Sequence, residues 1–232
     1  MRYLIKYTKK SDIKYVAHLE LMRTIQRIIR RSELPVKYSQ GFNPHMSLSI
    51  AQPLAVGVYS RGEYMDVDFN EELDEEFIKE KLNLSSTDTI EFLDVKKIKE
   101  EDKKVPQSMA AVEAARYILK LKCIDMKDIQ KDIHLLIDME EWKIIKKGKK
   151  GEKEVNIKPL IKSFKFNLQE NFLVIDTTVA CGSKSNLSAQ LLGEYIKNNI
   201  DGINKDAFIS IERQDMFAYK EQKLVPLNEY LG

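Results

Sequence analysis

Cysteine is almost absent from the 232 residues: Cys123 and Cys181 are the only two, and neither has CxxC spacing. A cysteine-ligated iron–sulfur cluster needs three or four thiolates, so the chain cannot hold one of its own. So little cysteine fits a reducing compartment, and the expected location is the cytoplasm. Glycine is also scarce, nine in all. There is no phosphate-cradling P-loop, no dinucleotide-binding glycine fingerprint and no Gly-x-Ser-x-Gly elbow. Apolar runs stay far below the roughly 18 residues that span a bilayer. The opening MRYLIKYTKK puts charges inside its apolar run, unlike a signal peptide. No membrane association is expected. What is present, 43% hydrophobic and 32% charged residues, reads as a soluble globular protein. The length allows one large domain or two of roughly 100 residues each.

The net charge of +2 hides alternating blocks: +5 over residues 1–70, −7 over 71–102, +7 over 103–168 and −3 over 169–232. Such blocks give either a basic face or ordinary solvated helices and hairpin tips. RYLIKYTK (2–9) alternates as a strand. Ser11 or Asp12 then offers an N-cap for YVAHLELMRTIQRIIRR, the clearest helix. At 100° per residue, Tyr15, Met22, Ile25, Ile28 and Ile29 share one face with His18. Arg23, Arg27 and Arg30 share the other, with Arg31 on its edge. VKYSQ, MSLSIA and EYMDVDF read as strands, DEEFIKEKLN as a helix and TIEFLDVKKIK as a strand.

The second half repeats this order loosely. It runs through EAARYILKLK, the helix MKDIQKDIHLLIDM, a hairpin in WKIIKKGKKGEKEVNI and two strands in SFKFNLQENFLVIDTTVA. The helix LSAQLLGEYIKNN, capped by Ser185 or Ser188, and the strand AFISIERQDMFAY close it. The expected fold is α+β, two ferredoxin-like β-α-β-β-α-β units in tandem. They would cover 1–102 and 109–232, with the boundary near KEEDKKVPQS (99–108).

YSQGFNPHMSLSI (38–50) gathers polar residues around one aromatic, Phe42. Gly41 would permit positive φ and Pro44 would stiffen the turn. Ser39, Asn43 and His45 could face a ligand there, or simply tie down their own backbone. His18 is a core histidine, or it pairs with His45 and a carboxylate from Glu63 or Asp66 as acid, base or metal ligand. Glu63 and Asp66 have opposite strand parity, so both cannot enter one site without a bulge. Arg23, Arg27, Arg30 and Arg31 match phosphate geometry. GKKGEK (148–153), Lys158 and Lys162 add positive charge in the second half. No spacing matches a standard metal motif, and no metal or cofactor is expected.

The segments YLIKYTK and AHLELMRTIQRIIRRSELPVKYSQGFNPHMSLSIAQPLAVGVYSRGEYMDVDF carry a resemblance. The densest elements are His-Leu-x-Leu-Met-Arg, Tyr-Ser-x-Gly-Phe-Asn-Pro-His and Gly-Val-x-Ser-x-Gly-Glu-Tyr-x-Asp. The N-terminal half resembles a bacterial family of radical-SAM-linked, or radical-SAM-associated, proteins. NIKPLI (156–161) and the closing ER…LVPL fit it more weakly. The resemblance implies a partner radical SAM enzyme, encoded nearby, with this chain as the stand-alone form. It points to a site at His18, Arg23, Ser39, Gly41, Asn43, His45, Ser60, Glu63 and Asp66. Tandem ferredoxin-like units also recur in RNA-handling proteins such as pseudouridine synthases and CRISPR repeat-processing endonucleases; the catalytic aspartate motif of the former is absent, and a histidine alone does not establish the latter. Three readings follow: an RNA-binding or substrate-presenting accessory of that enzyme, a histidine- or metal-dependent RNA hydrolase, and a pure protein-interaction module.

Overall fold

The computed structural model describes residues 1–98, 105–148 and 151–231. In chain order its elements are β1 (Arg2–Lys9), α1 (His18–Arg31), β2 (Leu48–Ile50), β3 (Tyr59–Asp68), α2 (Glu75–Leu84), β4 (Phe92–Lys97) and α3 (Ser108–Ala111). There follow β5 (Ala114–Lys122), α4 (Ile129–Asp138), β6 (Lys143–Gly148), β7 (Gly151–Asn156), β8 (Ile161–Gln169) and β9 (Phe172–Ala180). The chain ends with α5 (Ala189–Asn199), β10 (Ser210–Lys220), β11 (Lys223–Pro226) and α6 (Leu227–Leu231). Two compact units result: Met1–Ala114 with Arg213–Gly232, and Ala115–Glu212.

In the first unit β1 alternates as its sequence dictates. Tyr3, Ile5 and Tyr7 enter one core with Leu21, Ile25, Ile28 and Ile29 of α1 and Ile78 and Leu82 of α2. Each such side chain removed from water contributes about 1.5–3 kcal/mol, which fastens both helices to the sheet. β1 lies between β4 and β3 and is antiparallel to both. β2 pairs with one end of β3, Leu48 opposite Val67 and Ile50 opposite Met65. β10 also adjoins β3, and β11 pairs with β10.

The class is α+β, and in the first unit the order β4-β1-β3 with β2 on β3, each of these pairs antiparallel, is the strand order of a split β-α-β-β-α-β unit. β2 is only three residues long, and β10 also adjoins β3. The division of the chain differs from the expected one. Residues 213–232, expected in the second unit, belong to the first, and the boundary falls at Ala114. The expected linker lies partly outside the described residues.

The first turn of α1 is also displaced. Ser11–Ile13 forms a 3-10 turn, and α1 starts at His18 with no side-chain cap. The Lys9 ammonium holds the Lys14 and Val16 carbonyls, each at 3.0 Å, which commits that segment to a loop. Asp74 does cap α2, accepting from the Phe77 N–H at 2.9 Å. Ser188 caps α5.

The second unit orders β5, β9 and β8 side by side, β8 and β9 antiparallel. Its core closes on Trp142, stacked on Tyr195 at 5.3 Å and edge-on to Phe164 at 5.7 Å. The indole N–H donates to the Leu136 carbonyl at 2.9 Å, so the ring is buried with its polar atom satisfied. β6 and β7 form a hairpin that, among the described residues, pairs with no further strand. Among those residues no helix is long and apolar enough to cross a membrane.

Candidate functional site

The loop between Tyr38 and Met46 closes on itself. These two residues bridge. The Ser39 N–H donates to the His45 carbonyl at 2.8 Å, and the His45 N–H donates to Ser39 Oγ at 2.9 Å. Gly41 sits at φ +126°, a conformation few side chains tolerate. Asn43 and His45 are exposed. Phe42, at the tip, is fully exposed, with a relative accessibility of 109%. The Ser39 hydroxyl therefore serves the loop itself, while the exposed aromatic and its polar flanks face water.

The arginine face of α1 is exposed, as its spacing requires. Arg23 pairs with Glu20 one turn back. Arg31 donates through Nε and Nη2 to the Ser85 carbonyl at 3.3 and 2.8 Å, bonding to the C-terminal cap of α2. Arg27 and Arg30 are exposed and carry the free end of the stripe. In the second unit Lys158 donates to the Ile137 carbonyl at 2.8 Å and to that of Met139, capping the end of α4.

β3 delivers its carboxylates to opposite faces, as their parity demands. Glu63, 1% exposed, meets Arg213, whose Nη1 lies 3.0 Å from both carboxylate oxygens. The same guanidinium also donates to the Gln52 carbonyl at 3.1 Å and the Pro53 carbonyl at 3.4 Å. It thereby ties the loop after β2 to the buried pair. Burial pushes the Glu63 carboxyl upward, while Arg213, Ser60 and Lys9 pull it back. Burial lowers the neighbouring Lys9 ammonium. The Tyr7 hydroxyl is buried without a hydrogen-bond partner, held well above the usual tyrosine range by burial and then by the Glu63 charge. Ser60 is 2% exposed; its hydroxyl donates to the Arg213 carbonyl at 3.2 Å and accepts from the Gly62 N–H at 3.0 Å.

Asp66 points elsewhere, accepting from the Ser108 N–H at 2.9 Å and the Ser108 hydroxyl at 2.5 Å. Its other oxygen lies 3.9 Å from Arg2 Nε, and neither atom has a hydrogen-bond partner. Burial raises its carboxyl above the ordinary range.

A third polar group was not singled out in the sequence. Asp215 accepts from Lys6 Nζ at 2.7 Å, the Tyr64 hydroxyl at 2.6 Å and the Met216 N–H at 2.9 Å. Asn228 Oδ1 stands 3.1 Å from the Tyr64 hydroxyl, and its amide donates to Asp94 at 2.7 Å. Arg213 thus serves one face and Asp215, two residues on, the other; regular alternation would put both on the same face. The signals were faint: Lys9 and Arg213 fall in the buried phase of their strands, where a cation needs a partner.

His18 is half-buried in the first turn of α1. Among the described residues, no three or more His, Cys, Asp and Glu side chains gather as a metal-holding group. Glu63 and Asp66 are held by different partners, Arg213 and Ser108. The structure therefore presents an exposed aromatic loop, a basic helix face and a buried ion pair in the first unit.

One solved structure that matches is a chain of the crystal structure titled as a Cbf5–Nop10–Gar1 complex. The match has a TM-score of 0.52 and 9% identity, covering 94% of this chain and 50% of that one. At that identity the likeness concerns the fold alone. No curated protein sequence matches the chain. A family model matches residues 2–189, which take in the loop, the arginine helix and all of β3, and the chain belongs to that bacterial family, described as "Uncharacterized protein conserved in bacteria (DUF2344)".

Proposed function

We propose that the chain is an RNA-binding accessory protein, presenting a single strand to a radical SAM enzyme encoded nearby. One observation carries the RNA reading: Phe42 is held at full exposure on a loop closed by its own hydrogen bonds. An aromatic ring kept in water on an ordered, polar loop is suited to stack on an unpaired base, and base–aromatic stacking is a main source of single-strand affinity. Ser39, Gln40, Asn43 and His45 supply donors and acceptors beside it. Arg27 and Arg30, exposed on α1, supply charge for phosphates. The partner enzyme follows from the resemblance of the N-terminal half to radical-SAM-linked proteins, and from two cysteines being too few for a cluster.

The test is fluorescence anisotropy with a short uridine-rich single strand across a salt series. Phe42→Ala weakens binding about tenfold with an unchanged salt slope, the loss of one stacked base. Equal affinity of the two proteins, or binding indifferent to salt, overturns the reading.

A further inference from the structure

We infer that the open sheet face of the second unit, on β5, β9 and β8, is a second contact for RNA, a platform along which a single strand lies. This rests on the RNA reading above and extends it to a surface that reading does not use. The three strands lie side by side, and alternate residues turn to opposite faces. Helices close one face. A Cβ added at Gly193 of α5 would lie 3.2 Å from Leu119 of β5, while Phe164 and Phe166 of β8 meet Trp142 and the α4 residue His134.

The opposite face is basic. It carries Arg116, Lys120 and Lys122 of β5 and Lys165 of β8, all exposed. Against these the three strands hold one carboxylate, Asp176. Arg116 occupies both its oxygens, through Nε at 2.8 Å and Nη2 at 2.6 Å, and Lys165 stands opposite it in the register. Among the described residues Lys120 and Lys122 form no ion pair. Beside the cations run apolar and amide side chains. Asn167 pairs with the half-buried Val174, and Gln169 with the half-buried Phe172. The Cys123 N–H donates to the Asn171 carbonyl at 2.7 Å, which sets the end of β5, with Lys122, beside the start of β9, with Phe172.

Small-molecule sites are concave, and an open sheet gives a small anion no enclosure. A polymer with its charges at regular intervals can engage several of these cations at once, releasing counterions at each. Single-stranded RNA also brings bases, whose faces suit Phe172 and whose edges suit the amides of Asn167 and Gln169. An acidic peptide would match the charge and leave those side chains unused.

The experiment compares the full chain with a K120Q/K122Q/K165Q variant, using the same uridine-rich strand and salt series. Phe42→Ala and the charge-matched K10Q/K127Q/K131Q, all three lysines exposed and off this face, run alongside. The expected result is a salt slope shallower by about 2 for the sheet-face variant, from three lost contacts at about 0.7 each. The charge-matched variant keeps the wild-type slope. If Phe42→Ala weakens binding while the sheet-face variant keeps the full slope, or both lysine variants lose slope alike, the platform falls and the RNA reading stands. Displacement of the strand by short polyglutamate at equal charge concentration assigns the face to acidic protein segments and overturns the platform. If wild type does not bind the strand, both readings fall.

Discussion

At the scale of single residues, the Glu63–Arg213 pair shows how much one buried charge asks of its surroundings. Both are nearly inaccessible, at 1% and 3% exposure, so neither can recover water when its partner is removed. Arg213→Met should cost about 3–5 kcal/mol, since an unpaired carboxylate stays buried. Adding Glu63→Gln should recover most of that loss. Urea denaturation of the wild type, both single variants and the double variant measures the coupling; a value under about 1 kcal/mol would match a solvent-screened surface pair. Half of this was legible beforehand. The parity of β3 separated Glu63 from Asp66, and the structure gives them different faces. The partner of Glu63 was not legible, because it lies 150 residues away and period-two reasoning carries no information across strands. The hydroxyl of Ser60, a candidate ligand residue, is used instead inside the sheet, on the backbone of β10.

At the scale of elements, amphipathic period served well wherever one face is buried and failed where polar atoms direct the backbone. α1 buries Leu21, Ile25, Ile28 and Ile29 and exposes its arginines, whereas Tyr15, expected on the buried face, lies before the helix and is exposed. Its first turn was misplaced because the Lys9 ammonium, not an N-cap side chain, organises residues 10–17. VKYSQ yields only isolated bridges because the loop's hydrogen bonds run between its own ends. β11 and α6 were not anticipated. The tight turn before β11 uses Glu221 and Gln222 at positive φ, residues without the glycine signature of such a turn. Gly62, by contrast, stands in a recognisable string, and its reason is now visible. A Cβ there would lie 2.6 Å from the Gln214 carbonyl oxygen and 3.0 Å from Asp215 Cα, so glycine is what lets β10 close on β3. Gly62→Ala should destabilise the first unit by about 1–3 kcal/mol through this backbone clash. A thermal melt unchanged from wild type would show that β10 can draw back without cost.

At the scale of the molecule, the first unit is built from both ends of the chain. Its opening 114 residues supply β1 to β4, and Arg213–Gly232 supplies the strand beside β3 together with the partners of Glu63, Tyr64 and Lys6. A linear reading of the sequence places a domain boundary after the first run of strands, because composition shifts there and a return of the chain leaves no local mark. The consequence is kinetic as well as structural: contacts separated by about the whole chain close late, after intervening segments have ordered. A chain ending at Glu212 therefore lacks the countercharge for a buried carboxylate and the acceptor for a buried tyrosine, while α1, α2, α3 and the first four strands remain present. Hydrogen exchange followed by mass spectrometry should show β1 and β3 unprotected in that truncation, with β8, β9 and α5 still protected. Adding back the peptide 213–232 in excess should restore protection to β1 and β3, by binding only the folded form. Full protection of β1 and β3 without the peptide would mean that the N-terminal strands and their helices suffice. The buried Glu63 would then have to be held protonated or reached by water, and the ion pair would be a later addition to a core already complete.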